Sequence, residues 1–147
     1  IMTNQTMTIA LGADHGGFEL KNALKSVLVS RGISVLDLGT NSSDSVNYPD
    51  FAKAVCEAIL TGRAQLGILV CGTGIGISIA ANRHAGIRAA LVHSEFEAQM
   101  CKAHNNANVL CLGGRTTTFD EAKGYVGVWL DTEFEGGRHQ GRVEMMG

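Results

Sequence analysis

The chain has one proline among 147 residues, no run of lysine and arginine, no C-x-x-C pair, and no apolar stretch near the ~20 residues of a membrane span. Each absence closes a class of reading. Without a basic run, and with a net charge of −2, there is no electrostatic footprint for nucleic acid, and neither a nucleic-acid nor a membrane partner is expected. The cysteines Cys56, Cys71, Cys101 and Cys111 lack the spacing of a zinc knuckle or a thioredoxin motif. Ile1–Thr6 is neither basic nor long enough for a signal peptide, and is read as an expression remnant or disordered leader. Reduced thiols in a cytoplasm are then expected. No repeat, linker or low-complexity segment interrupts the rest, so one folded domain is expected over 7–147.

What is present is apolar and glycine-rich. Hydrophobic residues make up 45% and charged residues 18%, enough for a packed core, and nineteen glycines imply tight turns or close backbone approaches. Strands are expected at 7–11, 33–38, 66–71, 87–92 and 109–112. Between them lie helical stripes such as Phe18, Leu20, Ala23, Leu24, Val27 and Leu28. Pro49 suits a first helical turn, and Ser94/Glu97 and Thr118/Glu121 have capping-box spacing. Leu66–Cys71 is apolar on both faces, the pattern of a parallel strand covered on both sides. Strand–helix alternation five times over makes an α/β fold with a parallel sheet between two helical layers. The tail from Thr132 is polar and carries no assigned element.

In such sheets ligands sit beyond the carboxyl ends of the strands, which points to loops 12–17, 39–48, 71–75, 93–94 and 113–117. The loop Gly72–Gly76 has G-x-G-x-G spacing, neither a dinucleotide fingerprint nor a P-loop, yet three glycines in five residues favour close ligand approach to backbone N–H groups. Cys71 stands where a strand gives way to a helix. The positive end of a helix favours thiolate, so Cys71 is either a nucleophile or base, or a buried core residue; spacing alone does not separate the two. Thr73 either donates to a developing oxyanion or bonds its own loop. Asp14 and His15 suit acid/base or hydroxyl work, or helix capping beside an exposed histidine. His104 and Asn105 end a helix. Arg138 and Arg142, one helical turn apart, could grip a phosphate, with Arg115 joining them; singly, each arginine reads as surface charge. His84 and His93 lack metal-ligand spacing, and no metal or other cofactor is expected.

Six blocks in order carry a resemblance: GADHGGFELK at 12–21, NYPDFA at 47–52, CGTGIGISIAANR at 71–83, GIRAAL at 86–91, HNNANVLCLGGR at 104–115 and EGGRHQGRV at 135–143. Together they resemble the type B ribose-5-phosphate isomerase family, which includes the galactose-6-phosphate isomerase subunits. The resemblance implies a Rossmann-like three-layer sandwich with a five-stranded parallel sheet. It implies a homodimer, sometimes paired into a tetramer, with active sites shared between subunits. It also implies a metal-free exchange of a phosphorylated aldose with its ketose. By position, Cys71 resembles the base moving the proton between C1 and C2, and Thr73 with Gly72, Gly74, Ile75 and Gly76 resembles the enediolate-stabilising loop. His104, with Asp14 nearby, resembles the ring-opening acid/base pair, and Asn105 a ligand contact. His15, Arg115, Arg138 and Arg142 match phosphate-binding positions. A branch of the family places a glutamate base at the position of Ile77; here that position is apolar, which leaves Cys71. A five-carbon substrate is expected first, with a six-carbon phosphate (galactose or allose 6-phosphate) or a non-enzymatic phosphate- or nucleotide-binding module as alternatives.

Overall fold

The computed structural model describes residues 7–147, so the reading of Ile1–Thr6 lies outside the described residues. Strands β1 (Thr8–Ala13), β2 (Ser34–Asp37), β3 (Leu66–Cys71), β4 (Ala89–Leu91) and β5 (Val109–Gly113) form one sheet in the order β2-β1-β3-β5-β4, with every pairing parallel. Helices α1 (Phe18–Ser30), α2 (Tyr48–Leu60), α3 (Ile75–Ala81), α4 (Glu95–Ala103), α5 (Phe119–Asp131) and α6 (Arg138–Met146) complete the chain. No helix is long and apolar enough to cross a membrane among the described residues.

The period of two along β3 builds the three layers. Leu66, Ile68 and Val70 join the core beneath α1, α4 and α5, while Leu69 and Cys71 join the core beneath α2 and α3. All six β3 residues are buried, as a strand covered on both sides requires. Trp129 is fully buried on α5 and donates its indole N–H to Ala107 O at 3.1 Å, so its polar atom is satisfied inside the apolar layer.

The strand order fixes where a ligand can sit. After β2 the chain crosses back over β1 to form β3, so the order reverses between β1 and β3. The crevice outside their carboxyl ends is the switch point. Asp14 and Cys71 stand at those two ends.

Two local readings change. Thr118 and Glu121 do form a reciprocal capping box. Ser94 accepts from Glu97 N–H, but the Glu97 carboxylate takes the His93 N–H at 2.6 Å instead of the Ser94 one, so only half of that box forms. The polar tail is not featureless either: Gly136 (φ +67°) and Gly137 (φ +53°) turn it into α6, which buries His139 and Val143, one helical turn apart.

Candidate active site

The carboxyl-end crevice is built mostly from backbone. Cys71 closes β3 with 4% of its surface exposed. The chain then turns through Gly74, which sits at φ +79°, the left-handed region that glycine occupies without cost. That turn aims the Gly74 N–H at the Cys71 sulfur, 3.2 Å away. The sulfur is therefore held at the mouth of the glycine loop by a donor that strengthens as its negative charge grows. Ile75 N–H donates to Thr73 Oγ1 at 3.2 Å, so the hydroxyl oxygen serves its own loop while its O–H remains a donor.

The neighbouring loops lock onto this turn. Cys71 O accepts the Gly114 N–H at 2.8 Å and Gly72 O accepts the Arg115 N–H at 2.9 Å. A side chain at Gly72 would meet the Arg115 guanidinium at 3.1 Å, and one at Gly16 would meet the Gly72 backbone at 3.2 Å. Asp14 is 7% exposed and accepts the Gly16 N–H at 2.8 Å, an Asx turn that shapes the β1 loop. His15 Nδ1 accepts the Val46 N–H at 3.2 Å. His15, Gly16, Glu19, Ser43, Gly114 and Arg115 line a cleft of about 260 Å³. Tyr48 was not singled out in the sequence: its hydroxyl lies where a side chain at Gly76 would come within 2.7 Å. Its signal was NYPDFA, where the tyrosine directly precedes the proline of a helix start.

The remaining candidates gather elsewhere. Because β4 and β5 are parallel, α4 must return from the carboxyl end of one to the amino end of the other. His104 caps α4 at that amino end, opposite Asp14 and Cys71. The expected pairing of His104 with Asp14 is thus not met within one chain. Arg138 and Arg142 lie on α6, which packs beside His104 rather than beside His15 and Arg115. The Glu135 N–H donates to Ala103 O at 2.9 Å, and the His139 ring stacks on His104. Asn105 lines a second cavity of about 390 Å³ at this end, with Asn82, Arg88 and Met146.

Glu135 bridges the two imidazoles, its Oε1 3.7 Å from His104 Nε2 and 3.5 Å from His139 Nε2. Burial lowers the His139 pKa, reinforced by nearby His104 and Arg138. These three residues could approach a cation together, with donor atoms within 4.8 Å of one another. The rings are parallel to within 11°, however, so their in-plane lone pairs run side by side instead of converging. The cluster reads as a stacked histidine pair sharing a carboxylate. Outside it, His84 Nδ1 lies 3.3 Å from Ala81 O, a local helix-end contact.

The other three cysteines are buried in the two apolar layers. Burial pushes the Cys56 and Cys101 thiols up to about 11, and raises Cys111 as well. Their sulfurs behave as small core groups.

The model of the ribose/galactose isomerase family matches residues 9–146. Ribose-5-phosphate isomerase B of Escherichia coli is 49% identical over 136 residues, 92% of this chain and 91% of that protein. D-erythrulose-4-phosphate isomerase of Pectobacterium atrosepticum is 43% identical over 142 residues, 96% of this chain and 93% of that protein. A solved structure of ribose-5-phosphate isomerase B from Mycoplasma genitalium with bound ribulose-5-phosphate superposes with a TM-score of 0.93 at 41% identity, covering 97% of this chain and 95% of that one. With nearly the full length of the sheet, its loops and α6 matched, the chain belongs to the ribose/galactose isomerase family.

Proposed function

We propose that this chain interconverts D-ribose 5-phosphate and D-ribulose 5-phosphate, an aldose–ketose isomerisation through an enediolate in the non-oxidative pentose phosphate branch. The observation that carries the proposal is the Gly74 N–H donating to Cys71 Sγ at 3.2 Å, at the switch point of the sheet. A carbon acid needs a base beside preorganised donors, and this turn supplies both. Cys71 takes the proton from C2 of the open-chain aldose and returns it to C1, while the hydroxyl proton passes from O2 to O1 so that the carbonyl ends on C2. As charge grows on the sugar oxygens, the Thr73 hydroxyl and the amides of the Gly72–Gly76 loop receive it. The Gly76 N–H, in the first turn of α3, has no intrahelical acceptor and no other backbone partner among the described residues, which leaves it for that purpose. His15 and Arg115 hold the phosphate. Ile77 is apolar and buried, and an aliphatic side chain carries no base to compete with Cys71.

Ring opening needs a second acid/base group, and the topology puts His104 at the wrong end of its own sheet. The active unit is therefore a homodimer of the 7–147 domain, in which His104, Asn105, Arg138 and Arg142 of one copy meet Cys71, Asp14 and His15 of the other. The exposed apolar side chains Ile75 and Ile79 on α3, at 53% and 60%, flank the glycine loop and offer a surface for that second copy. A cytoplasmic setting agrees with four free, buried thiols.

Cleft depth rather than motif is the feature expected to set sugar length, and one relative of this chain is named for a four-carbon sugar phosphate. Comparing kcat/KM for ribose 5-phosphate with allose and galactose 6-phosphates, EDTA present throughout, tests the assignment. A preference for a six-carbon sugar overturns it, and binding without turnover favours the non-enzymatic module.

A further inference from the structure

The block GADHGGFELK ends in Lys21, which the chemistry above leaves without a task. Lys21 is 0% exposed, an uncommon place for an ammonium. It donates to three side-chain oxygens: Asp37 Oδ1 at 2.7 Å, Asn41 Oδ1 at 2.7 Å and Asn22 Oδ1 at 2.9 Å. Each of its three N–H bonds has an acceptor, so the buried charge is fully satisfied. Asp37 is held below the usual carboxylate range. Burial alone would raise it, but the Lys21 ammonium and the Gly39 N–H prevail.

Two of those acceptors belong to one segment, the end of β2 and the loop that follows. The same loop reaches the phosphate cleft twice. Ser43 lines it, and the Val46 N–H donates to His15 Nδ1 at 3.2 Å. A nitrogen that accepts a hydrogen bond carries no proton. The neutral His15 ring therefore holds its proton on Nε2, which makes Nε2–H a donor available to a phosphate oxygen. The orientation of His15 thus depends on where the 38–47 loop lies. The main chain pins the start of that loop, through Ala13 N–H to Gly39 O and Thr40 N–H to Ala13 O. Beyond Thr40, Asn41 on Lys21 is the next tie, and the following residues 42–45 are exposed.

We propose that Lys21 is a positioning residue for the phosphate cleft. Its buried ammonium, through Asn41 and Asp37, fixes the loop whose Val46 N–H sets the His15 ring with Nε2–H as phosphate donor. This rests on the reading of His15 as a phosphate ligand given above. Lys21 binds no substrate atom; it acts on the ground-state grip of a group remote from the reacting carbons. Losing the latch therefore weakens substrate binding and leaves the chemical step largely intact.

The test uses Asn41→Ala, which removes one exposed acceptor and leaves the buried Lys21–Asp37 pair, so the fold survives; Lys21→Met is the companion variant. One hydrogen bond of ordinary net strength corresponds to about fivefold. The expected result for Asn41→Ala is a KM, and a Ki for inorganic phosphate, raised about fivefold with kcat little changed, and Asn41→Asp, which keeps the acceptor, restores both. In parallel, ¹⁵N NMR of His15 reads Nδ1 as the unprotonated nitrogen in the wild type and a tautomer mixture in Asn41→Ala. Unmoved His15 nitrogens, or equal falls in kcat and kcat/KM, overturn the latch. His15→Ala separates the two claims: an unchanged KM there overturns His15 as phosphate ligand, and the nitrogen shifts alone then decide the latch.

Discussion

The imidazoles of His104 and His139 lie parallel, 4.1 Å between centroids and 11° between planes, with His139 buried and His104 half-exposed. His139 is thus a platform for the histidine proposed above for ring opening. Its pKa is lowered, by burial first and then by the neighbouring His104 and Arg138. An unfolded histidine takes up a proton as pH falls below about 6.5, while the folded His139 resists it until a lower pH. The unfolded chain binds more protons in that window, so stability is lost as pH falls through it. His139→Phe keeps the stack but removes the titration. Its Tm is expected to fall less than that of the wild type between about pH 7.5 and about pH 5. Parallel Tm curves for the two proteins would count against the coupling.

Replacing Cys71 by alanine tests the base directly. Loss of a general base costs at least about a hundredfold in rate. Cys71→Ala is expected to lose isomerisation to that extent while its Kd for ribose 5-phosphate, measured by calorimetry, stays near the wild-type value. The Gly74 N–H loses its sulfur acceptor in this variant, a cost of about 1 kcal/mol in stability that folding assays will register. Retained turnover would remove Cys71 from the mechanism.

Two glycines with positive φ make a controlled pair. A side chain at Gly74 (φ +79°) would lie 2.6 Å from Leu91 Cδ1 and 2.9 Å from the Leu112 carbonyl carbon, whereas one at Gly136 (φ +67°) would meet open space. Gly136→Ala carries only the backbone cost of about 1 kcal/mol. Gly74→Ala adds a clash with main chain, for a total of at least about 3 kcal/mol, and displaces the N–H from Cys71. Urea midpoints are expected to rank wild type, Gly136→Ala, Gly74→Ala. If Gly74→Ala is as stable as Gly136→Ala, the loop is not held as tightly as these distances require.

The contrast between the β3 segment and α6 shows what the sequence could and could not convey. Leu66–Cys71 was legible because a strand buried on both faces must be apolar throughout, and the glycines after it have few other uses. The helix α6 was missed because its buried stripe is only His139 and Val143 on an otherwise charged segment, too short to register as a period. The separation of His104 from Asp14 was implicit in the alternation of elements, since every helix in such a sheet returns to the amino end. Resemblance by position brought the two together because position in a family motif does not say which subunit supplies a residue. Lys21 was invisible for a different reason: a lysine in a polar-faced helix looks solvated, and only the fold brings Asp37 and Asn41 to it beside its own neighbour Asn22.

The division of the candidate site between the two ends of the sheet can be decided by mixing inactive variants. If each site takes Cys71 from one chain and His104 from the other, a Cys71→Ala/His104→Ala hybrid has one doubly damaged site and one intact site. Random exchange makes about half of the dimers hybrids, so about a quarter of wild-type activity returns. If instead each chain used its own Cys71 and His104, every site in the hybrid would lack one of them and no activity would return. A Cys71→Ala/Arg142→Ala hybrid likewise holds one intact site and one doubly altered site, which tests the phosphate grip through KM rather than through total activity. There Arg142→Ala alone is expected to raise KM about tenfold with kcat largely retained, so recovery is read as KM in the hybrid returning toward the wild-type value. Co-expression with two affinity tags isolates the hybrids. Their activity, set against each variant alone, distinguishes a site assembled between copies from one built within a single sheet.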